Sequence, residues 1–443
     1  MPTASTDAVV DGRLPGSALR HAAAVLAGRM VRSATRLRGG GTALPGLVAE
    51  RLDPHFIQRA FATLPLGVAV ISGTNGKTTT TKLVVELLRG QGLTVFTNPS
   101  GSNFSRGVAS ARLGHVDALG RLEADIAILE LDEAHGARFV TTVRPRYALL
   151  LNVFRDQLDR FGEIDTTARY LRAIAAGTTE ALVVNRDDRR LLEIARSSEQ
   201  AAVRYFGVAP SLLDRFPGDD DLHGRGAEPE ASKPHADVRL TAIAGAEADY
   251  EIGGRRQTVR MRLSGSYNLL NAAAALALVR TILGERVDEE ALLRSLSEVQ
   301  PAFGRGETIE VDGTRVELVL VKNPAGFRLA LDSFDPSGYA TAIAINDHEN
   351  DSRDVSWLWD VDFDRLRREE VAMVTGIRAA EMVLRLQYDD VEVDEVEPDI
   401  RRALDLLLGK QDDRPVRIFC TYTAMLQLRR RLAELTPLSR IDA

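Results

Sequence analysis

The run Gly73-Thr74-Asn75-Gly76-Lys77-Thr78 has the composition of a phosphate-binding loop. Glycines let backbone N–H groups close on phosphate oxygens, and a helix opening directly behind them adds positive partial charge. In that arrangement Gly73, Thr74, Asn75 and Gly76 form the cradle and Lys77 reaches the outer phosphates, while the Thr78 hydroxyl ligates Mg²⁺. The spacing departs from the usual Walker A pattern, G-x-x-x-x-G-K, whose first glycine would fall on Ile71 inside an apolar run. A glycine-rich turn with a chance lysine is the competing reading. The flanks weigh against it, because Gly67–Ser72 reads as a short strand and Thr78–Leu88 as a helix stopped by Gly90 and Gly92.

Other residues could join this chemistry. Glu130 closes the apolar run Ile126-Ala127-Ile128-Leu129. A carboxylate at the C-terminal edge of a parallel strand points into the crevice where ligands bind. Asp132, Glu133 and His135 follow closely, and a solvated acidic loop is the alternative. Asn268 and Asn271 open an alanine-rich stretch. Their amides can donate to and accept from a base edge, although Asn268 taken alone reads better as a helix N-cap, and its place behind the phosphate loop favours the base contact. Arg305 sits between glycines in a linker, where an arginine is ordinarily solvated. The stretch 346–363 holds both tryptophans and five aspartates, Asp347, Asp351, Asp354, Asp360 and Asp362. Loops at strand ends carry function, and a buried Trp cluster with acidic solvation is the alternative.

These residues need a scaffold. Asp125–Leu131, Tyr147–Val153 and Ala181–Asn185 are largely continuous apolar runs, as expected of strands buried on both faces of a parallel sheet. With the strand and helix around the phosphate loop they predict a doubly wound α/β domain. Strand-like segments return at Val238–Ile243 and Tyr250–Leu263, and Asn268–Leu283 reads as an alanine-rich helix. After Phe303 a second alternation predicts strands at Val316–Val321, Ala340–Ile345, Val371–Thr375 and Val416–Cys420, with Ile400–Leu408 helical. The resulting division is 1–50, an extension with a basic helix; 51–302, a central ATP-binding domain; and 303–443, a C-terminal Rossmann-like α/β domain. Residues 1 to about 16 read as disordered. The basic amphipathic stretch Ser17–Leu37 either packs on the domain behind it or approaches a membrane. The polar stretch 210–237 reads as a surface insertion.

Composition sets the outer bounds. A chain of 443 residues with 44% hydrophobic and 27% charged residues is ordinary globular protein of two or three domains. Its net charge of -7 gives no support for a nucleic-acid partner. The single cysteine, Cys420, excludes an internal disulfide and a multi-cysteine zinc site, so no zinc is expected. That usage fits a reducing cytoplasm. No signal peptide and no apolar run long enough to span a bilayer are expected, so any lipid contact would be peripheral, at the inner membrane face.

The compact loop Gly73–Thr78, directly behind an apolar strand, resembles that of the Mur ligase and folylpolyglutamate synthetase superfamily. The resemblance implies a Mur-ligase-like fold with ATP and Mg²⁺ as cofactors. It implies Glu130 as a magnesium ligand beside Thr78, Asn268 and Asn271 as adenine contacts, and Arg305 as the arginine that begins the third domain and reaches the ATP phosphates. The chain departs from the amino-acid-adding members in two places. Several of those hold a second magnesium with the histidine of an Asn-x-x-x-Asp-His motif and with a carbamylated lysine. Here Gln157 follows Asn152 and Asp156 where the histidine would stand. No lysine lies between Lys82 and Lys233, and Arg172 holds the approximate lysine position.

The segments Val321-Lys322-Asn323-Pro324-Ala325-Gly326-Phe327 and 346–363, with Asp354-Val355-Ser356-Trp357-Leu358-Trp359-Asp360, resemble the MurT family. The resemblance runs from about residue 65 to the C-terminus. MurT proteins pair with GatD, a glutamine amidotransferase, and the resemblance implies ATP-dependent conversion of the D-glutamate of lipid II to D-isoglutamine. The glutamate α-carboxyl would become an acyl phosphate, and ammonia from GatD would displace the phosphate. The resemblance also implies that an aspartate of this chain completes the Cys-His pair of GatD. Motif position favours Asp354, with Asp351 and Asp360 as the nearest competitors. Some family members carry a four-cysteine zinc ribbon in the central-domain insertion, which 210–237 would replace without metal. Two other functions compete: a stand-alone ligase joining an amino acid to a carboxylate, and a nucleotide-binding scaffold that regulates a partner. ATP turnover linked to amidation discriminates the scaffold.

Overall fold

The computed structural model describes residues 23–28, 30–31, 44–98, 122–155, 164–219, 229–263, 265–300, 305–334, 336–349, 351, 353–410 and 414–438. The reading of residues 1–16 as disordered lies outside this set, as do Gln157 and the middle of the 210–237 insertion. Within 17–37 the described residues, 23–28 and 30–31, are helical.

The chain builds two sheets. The first has nine strands: β1 (Val68–Ser72), β2 (Val95–Thr97), β3 (Ile126–Glu130), β4 (Tyr147–Leu150), β5 (Ala181–Asn185), β6 (Ala202–Val208), β7 (Val238–Ala244), β8 (Glu247–Ile252) and β9 (Arg255–Arg260). Their spatial order is β2-β3-β1-β4-β5-β6-β7-β8-β9, parallel as far as β7 and antiparallel beyond it. Every residue of β1, β3, β4 and β5 is buried. Alternation along each strand explains how. Ala69, Ile71, Ile128, Leu149 and Val183 enter one core, and Val70, Leu129, Leu150 and Val184 enter the core on the opposite face. Covering helices therefore lie on both sides, and each large aliphatic buried this way contributes about 1.5–3 kcal/mol.

The expected strand Tyr250–Leu263 is instead broken in two: it holds the end of β8, a tight turn and β9. Gly253 and Gly254 both have positive φ, 55° and 79°, and turn the chain between β8 and β9. Only glycine adopts two consecutive left-handed residues at little cost, which is the two-residue hairpin signature.

Helix Ser266–Leu283 crosses the first core with thirteen buried residues. The stretch Ser266–Arg286 is long and apolar enough to cross a membrane by length and composition, which the reading of the sequence did not anticipate. Its apolar stretch is 72% buried inside the protein, and its alanines let it approach the sheet and helix Lys77–Gly90 closely.

The second sheet comprises β10 (Arg305–Val311), β11 (Thr314–Leu320), β12 (Ala340–Ala344), β13 (Val371–Thr375), β14 (Val396–Glu397) and β15 (Val416–Cys420), in the order β10-β11-β15-β12-β13-β14. All pairs except β10–β11 are parallel. Two further cores lie on its faces, one around Ile418 and Met425 and one around Phe327, Phe363 and Phe419. The expected strands at 316–321, 340–345, 371–375 and 416–420 match β11, β12, β13 and β15 closely. The antiparallel edge strand β10 was not expected.

Candidate functional site: a phosphate loop facing the second sheet

Strands β1 and β4 are neighbours, yet the chain leaves β1 towards β2 on one side and leaves β4 towards β5 on the other. Such a reversal opens a crevice at the strands' C-terminal ends. Gly73–Thr78 occupies it, and the loop after β4 braces it. Asn152 carries the brace: its Oδ1 accepts from Asn75 N at 2.8 Å, and its Nδ2 donates to Asn75 O at 3.0 Å. The Thr74 N–H donates to Asn152 O at 3.1 Å, and Phe154 N donates to Thr74 Oγ1 at 3.0 Å. These bonds fix the loop, and Gly76, the N-cap of helix Lys77–Gly90, brings no side chain to cap it.

Gly76 is glycine for two reasons. Its φ is 88°, and a Cβ there would lie 2.5 Å from Asn271 Oδ1. Asn271 is thus held directly against the loop. Asn268 lies in the first turn of helix Ser266–Leu283, whose N-cap is Gly265, so the alternative reading of Asn268 as the N-cap does not hold. Gly265 takes the cap because its φ of 92° suits glycine alone.

Lys77 Nζ donates back to Gly73 O and to Thr74 O (3.2 Å) and faces the Glu133 carboxylate at 3.5 Å. Thr78 Oγ1 donates to Glu130 Oε1 at 2.8 Å, so the two residues expected to hold magnesium are in contact. Glu130 is buried, and Asn98 clamps its backbone from both directions, at 2.9 and 3.0 Å. A hydroxyl beside a buried carboxylate is an oxygen donor set suited to Mg²⁺, and the helix N-terminus behind it favours phosphate. Asp132 and His135 have another task. Asp132 caps helix Glu133–Thr142 by accepting from His135 N at 2.8 Å, and the two side chains bond at 2.7 Å. Burial works against the Asp132 carboxylate, yet the His135 bonds hold its pKa below the ordinary value.

Two residues escaped the sequence reading. Asp188, in the turn after β5, accepts from Val153 N at 2.7 Å and Leu191 N at 3.1 Å, anchoring the bracing loop. Burial raises its pKa to about 6 against those bonds. Asn323 was noted only within its motif. It caps helix Pro324–Ser333 through Gly326 N at 2.7 Å and also meets Asn75 side chain to side chain. No local pattern announces that second contact.

A cleft of about 710 Å³, counted to its open mouth, runs from Asn75, Gly76, Asn268 and Asn271 to Leu329 and Phe334 of the second unit. It offers amides at one wall and apolar surface at the other, suitable for a flat heterocycle. Arg305 begins β10, and its side chain lies outside the described residues. Arg172 is exposed on helix Ile164–Gly177.

Asp354 does not line that cleft. It is exposed on the second unit, where the Ser356 hydroxyl and N–H (2.8 Å from Oδ1) keep it below the usual carboxylate range. Asp351 is buried and accepts from the N–H (2.7 Å) and hydroxyl of Thr423, so its oxygens are engaged in the fold. Asp360 is exposed. Of the tryptophans, Trp357 packs against Phe327 whereas Trp359 is 47% exposed against Tyr388.

The Mur ligase middle domain matches residues 71–279, and the MurT ligase C-terminal domain matches residues 320–425. The chain is similar to the "Lipid II isoglutaminyl synthase (glutamine-hydrolyzing) subunit MurT" of Streptococcus pneumoniae, with 30% identity covering 94% of this chain and 97% of that one. Its fold is similar to that of MurF from Acinetobacter baumannii, with TM-score 0.67 at 19% identity over 88% of this chain and 80% of that one. It is also similar to Mycobacterium tuberculosis folylpolyglutamate synthase complexed with ADP and AMPPCP, with TM-score 0.62 at 16% identity over 94% of this chain and 100% of that one.

Proposed function

The chain belongs to the MurT family, and on that premise we propose that it activates the D-glutamate α-carboxyl of lipid II with ATP and passes the activated group to ammonia from a GatD-type glutaminase. It is a ligase of cell-wall synthesis, and the lipid II amidation borne by the name of its relatives is the reaction it serves.

The observation that carries the proposal is the contact of Thr78 with Glu130 at the mouth of a braced phosphate loop, next to the amide-lined cleft. The loop N–H groups and Lys77 would bind the phosphates, and Asn268 and Asn271 the base. Thr78 and Glu130 would hold Mg²⁺, which when bound neutralises charge on the transferring phosphoryl group. The glutamate carboxylate attacks the γ-phosphorus, ADP leaves, and an acyl phosphate results. Ammonia then adds to the acyl carbon, phosphate departs, and a proton is lost to give the amide. Ammonia is small and neutral, so it needs no amino-acid pocket. That fits a chain with Gln157 in place of the second-site histidine and no lysine between Lys82 and Lys233. Asp354, exposed and ionised, suits the remaining role: a carboxylate that orients the partner's histidine and stabilises its cation. We propose that the complex works in the cytoplasm.

The test is ATP turnover dependent on lipid II in the complex. Lys77→Ala and Glu130→Gln should each lower it by about a hundredfold or more, since each removes charge stabilisation at the transferring phosphoryl group. Turnover driven instead by an added amino acid would favour the stand-alone ligase.

A further inference from the structure

We propose that the outward face of the helical residues 23–28 and 30–31 is a docking surface for an anionic lipid membrane, deepening the functional reading by giving the enzyme a fixed approach to a lipid-linked substrate. The helix has two faces. Ala24, Val25 and Gly28 are buried, and Ala24 and Val25 join the core that contains Phe56, Phe61 and Leu64. That side packs on the central unit. Leu26 and Met30, one helical turn apart, point the other way and are 59% and 67% exposed, with Ala23 beside them. A helix lying on a soluble domain normally turns polar residues to water. Here, among the described residues, the side facing away from the core is apolar too.

Charge identifies the occupant. Residues 12–49 contain six arginines, Arg13, Arg20, Arg29, Arg32, Arg36 and Arg38, and no aspartate or glutamate, in a chain whose net charge is -7. A basic segment next to exposed aliphatic side chains complements an anionic bilayer surface, which attracts arginine and accepts shallow apolar insertion. A second copy of this chain, net charge -7, answers the arginines but not the exposed aliphatic side chains, which an anionic bilayer accepts as well. Contact of this kind is peripheral and reversible, and a lone turn of exposed aliphatics is too small to anchor the protein without the charge.

The experiment is vesicle flotation of the full chain in complex with its glutaminase subunit. The vesicles are phosphatidylcholine alone or phosphatidylcholine with phosphatidylglycerol, at low and at high salt. The wild-type complex should float with the anionic vesicles only, and high salt should release it. Leu26→Ser/Met30→Ser should weaken that binding by roughly tenfold while leaving melting temperature and ATP turnover unchanged, because both side chains are exposed. Equal flotation of variant and wild type, or none with anionic vesicles, overturns the proposal. So does loss of the glutaminase subunit from the variant, which would make the face a protein interface. Amidation of lipid II in detergent is assayed in parallel. Its absence in a complex that still floats counts against the assigned reaction and leaves the lipid surface standing.

Discussion

Asn75 of the phosphate loop and Asn323 of the second unit exchange hydrogen bonds through their side-chain amides, 248 residues apart in sequence. Asn323 Nδ2 donates to Asn75 Oδ1 at 3.1 Å, and Asn75 Nδ2 lies 3.5 Å from Asn323 Oδ1. Both residues are buried, and Asn323 Oδ1 also caps helix Pro324–Ser333. The loop that would hold the phosphates is thereby linked to the unit that carries Asp354.

That link can be separated from the cap. Asn323→Asp keeps an oxygen for the Gly326 N–H but cannot donate to Asn75, whereas Asn323→Ala loses both functions. Each should lower kcat/KM for ATP by about fivefold, the equivalent of roughly 1 kcal/mol for one hydrogen bond. Only the alanine variant should also lower the melting temperature. Unaltered ATP kinetics in Asn323→Asp would mean that the amide pair does not support nucleotide use.

Gly76→Ala should abolish nucleotide binding measured by calorimetry. The new methyl meets Asn271 at 2.5 Å and the residue must hold φ 88°. The backbone strain alone costs about 1–2 kcal/mol, and the displacement of Asn271 damages the cleft wall. Retained affinity would show that Asn271 need not sit against the loop.

Asp188 gives a pH signature. Its folded pKa of about 6 lies above the ordinary value of 3.8, so the folded state binds this proton more tightly than the unfolded one. The associated stability is complete below the ordinary value and is lost as pH rises through about 6. In denaturant unfolding, wild type should gain stability relative to Asp188→Asn as pH falls from neutral to about 4, by on the order of 2–3 kcal/mol. A pH-independent difference would place the ionised carboxylate in a more polar setting than its burial implies.

The flank of the 210–237 insertion is held by ion pairs. Lys233 Nζ donates to Asp187 Oδ1 at 2.8 Å, and Arg186 bonds Glu230 and Pro234 O. Lys233 and Asp187 are both nearly inaccessible, at 2% and 7% side-chain exposure. Lys233→Met should therefore destabilise by about 2 kcal/mol, because the buried Asp187 carboxylate loses its hydrogen-bonded cation and keeps Arg186 Nε at 3.9 Å and the Val208 N–H as partners. Adding Asp187→Asn should recover part of that loss. No change on chemical denaturation of Lys233→Met would remove the clasp from the list of forces that hold this segment.

Much of this was legible in the sequence. The strand, turn and helix around Gly73–Thr78 were legible because they are contiguous in sequence. The buried strands were readable for the same reason, since β1, β3, β4 and β5 are short unbroken apolar runs. Asn323 and Asp188 were not readable, because each acts on a partner brought near only by the fold. The β8–β9 hairpin could have been read from Gly253-Gly254, a pair that marks a tight turn. The membrane-length apolarity of Ser266–Arg286 went unseen because alanines carry it and asparagines interrupt its start.

The most direct measurement is mass-spectrometric amidation of lipid II by the complex, supplied with either glutamine or ammonium chloride. Wild type should use both nitrogen sources. Asp354→Asn should fail with glutamine and recover with ammonium, since on the proposed function only the partner's glutaminase would depend on that carboxylate. Lys77→Ala should fail with both. Amidation by Lys77→Ala, or failure of Asp354→Asn with ammonium as well, would contradict a division of labour in which this chain activates the carboxyl group and lends Asp354 to its partner.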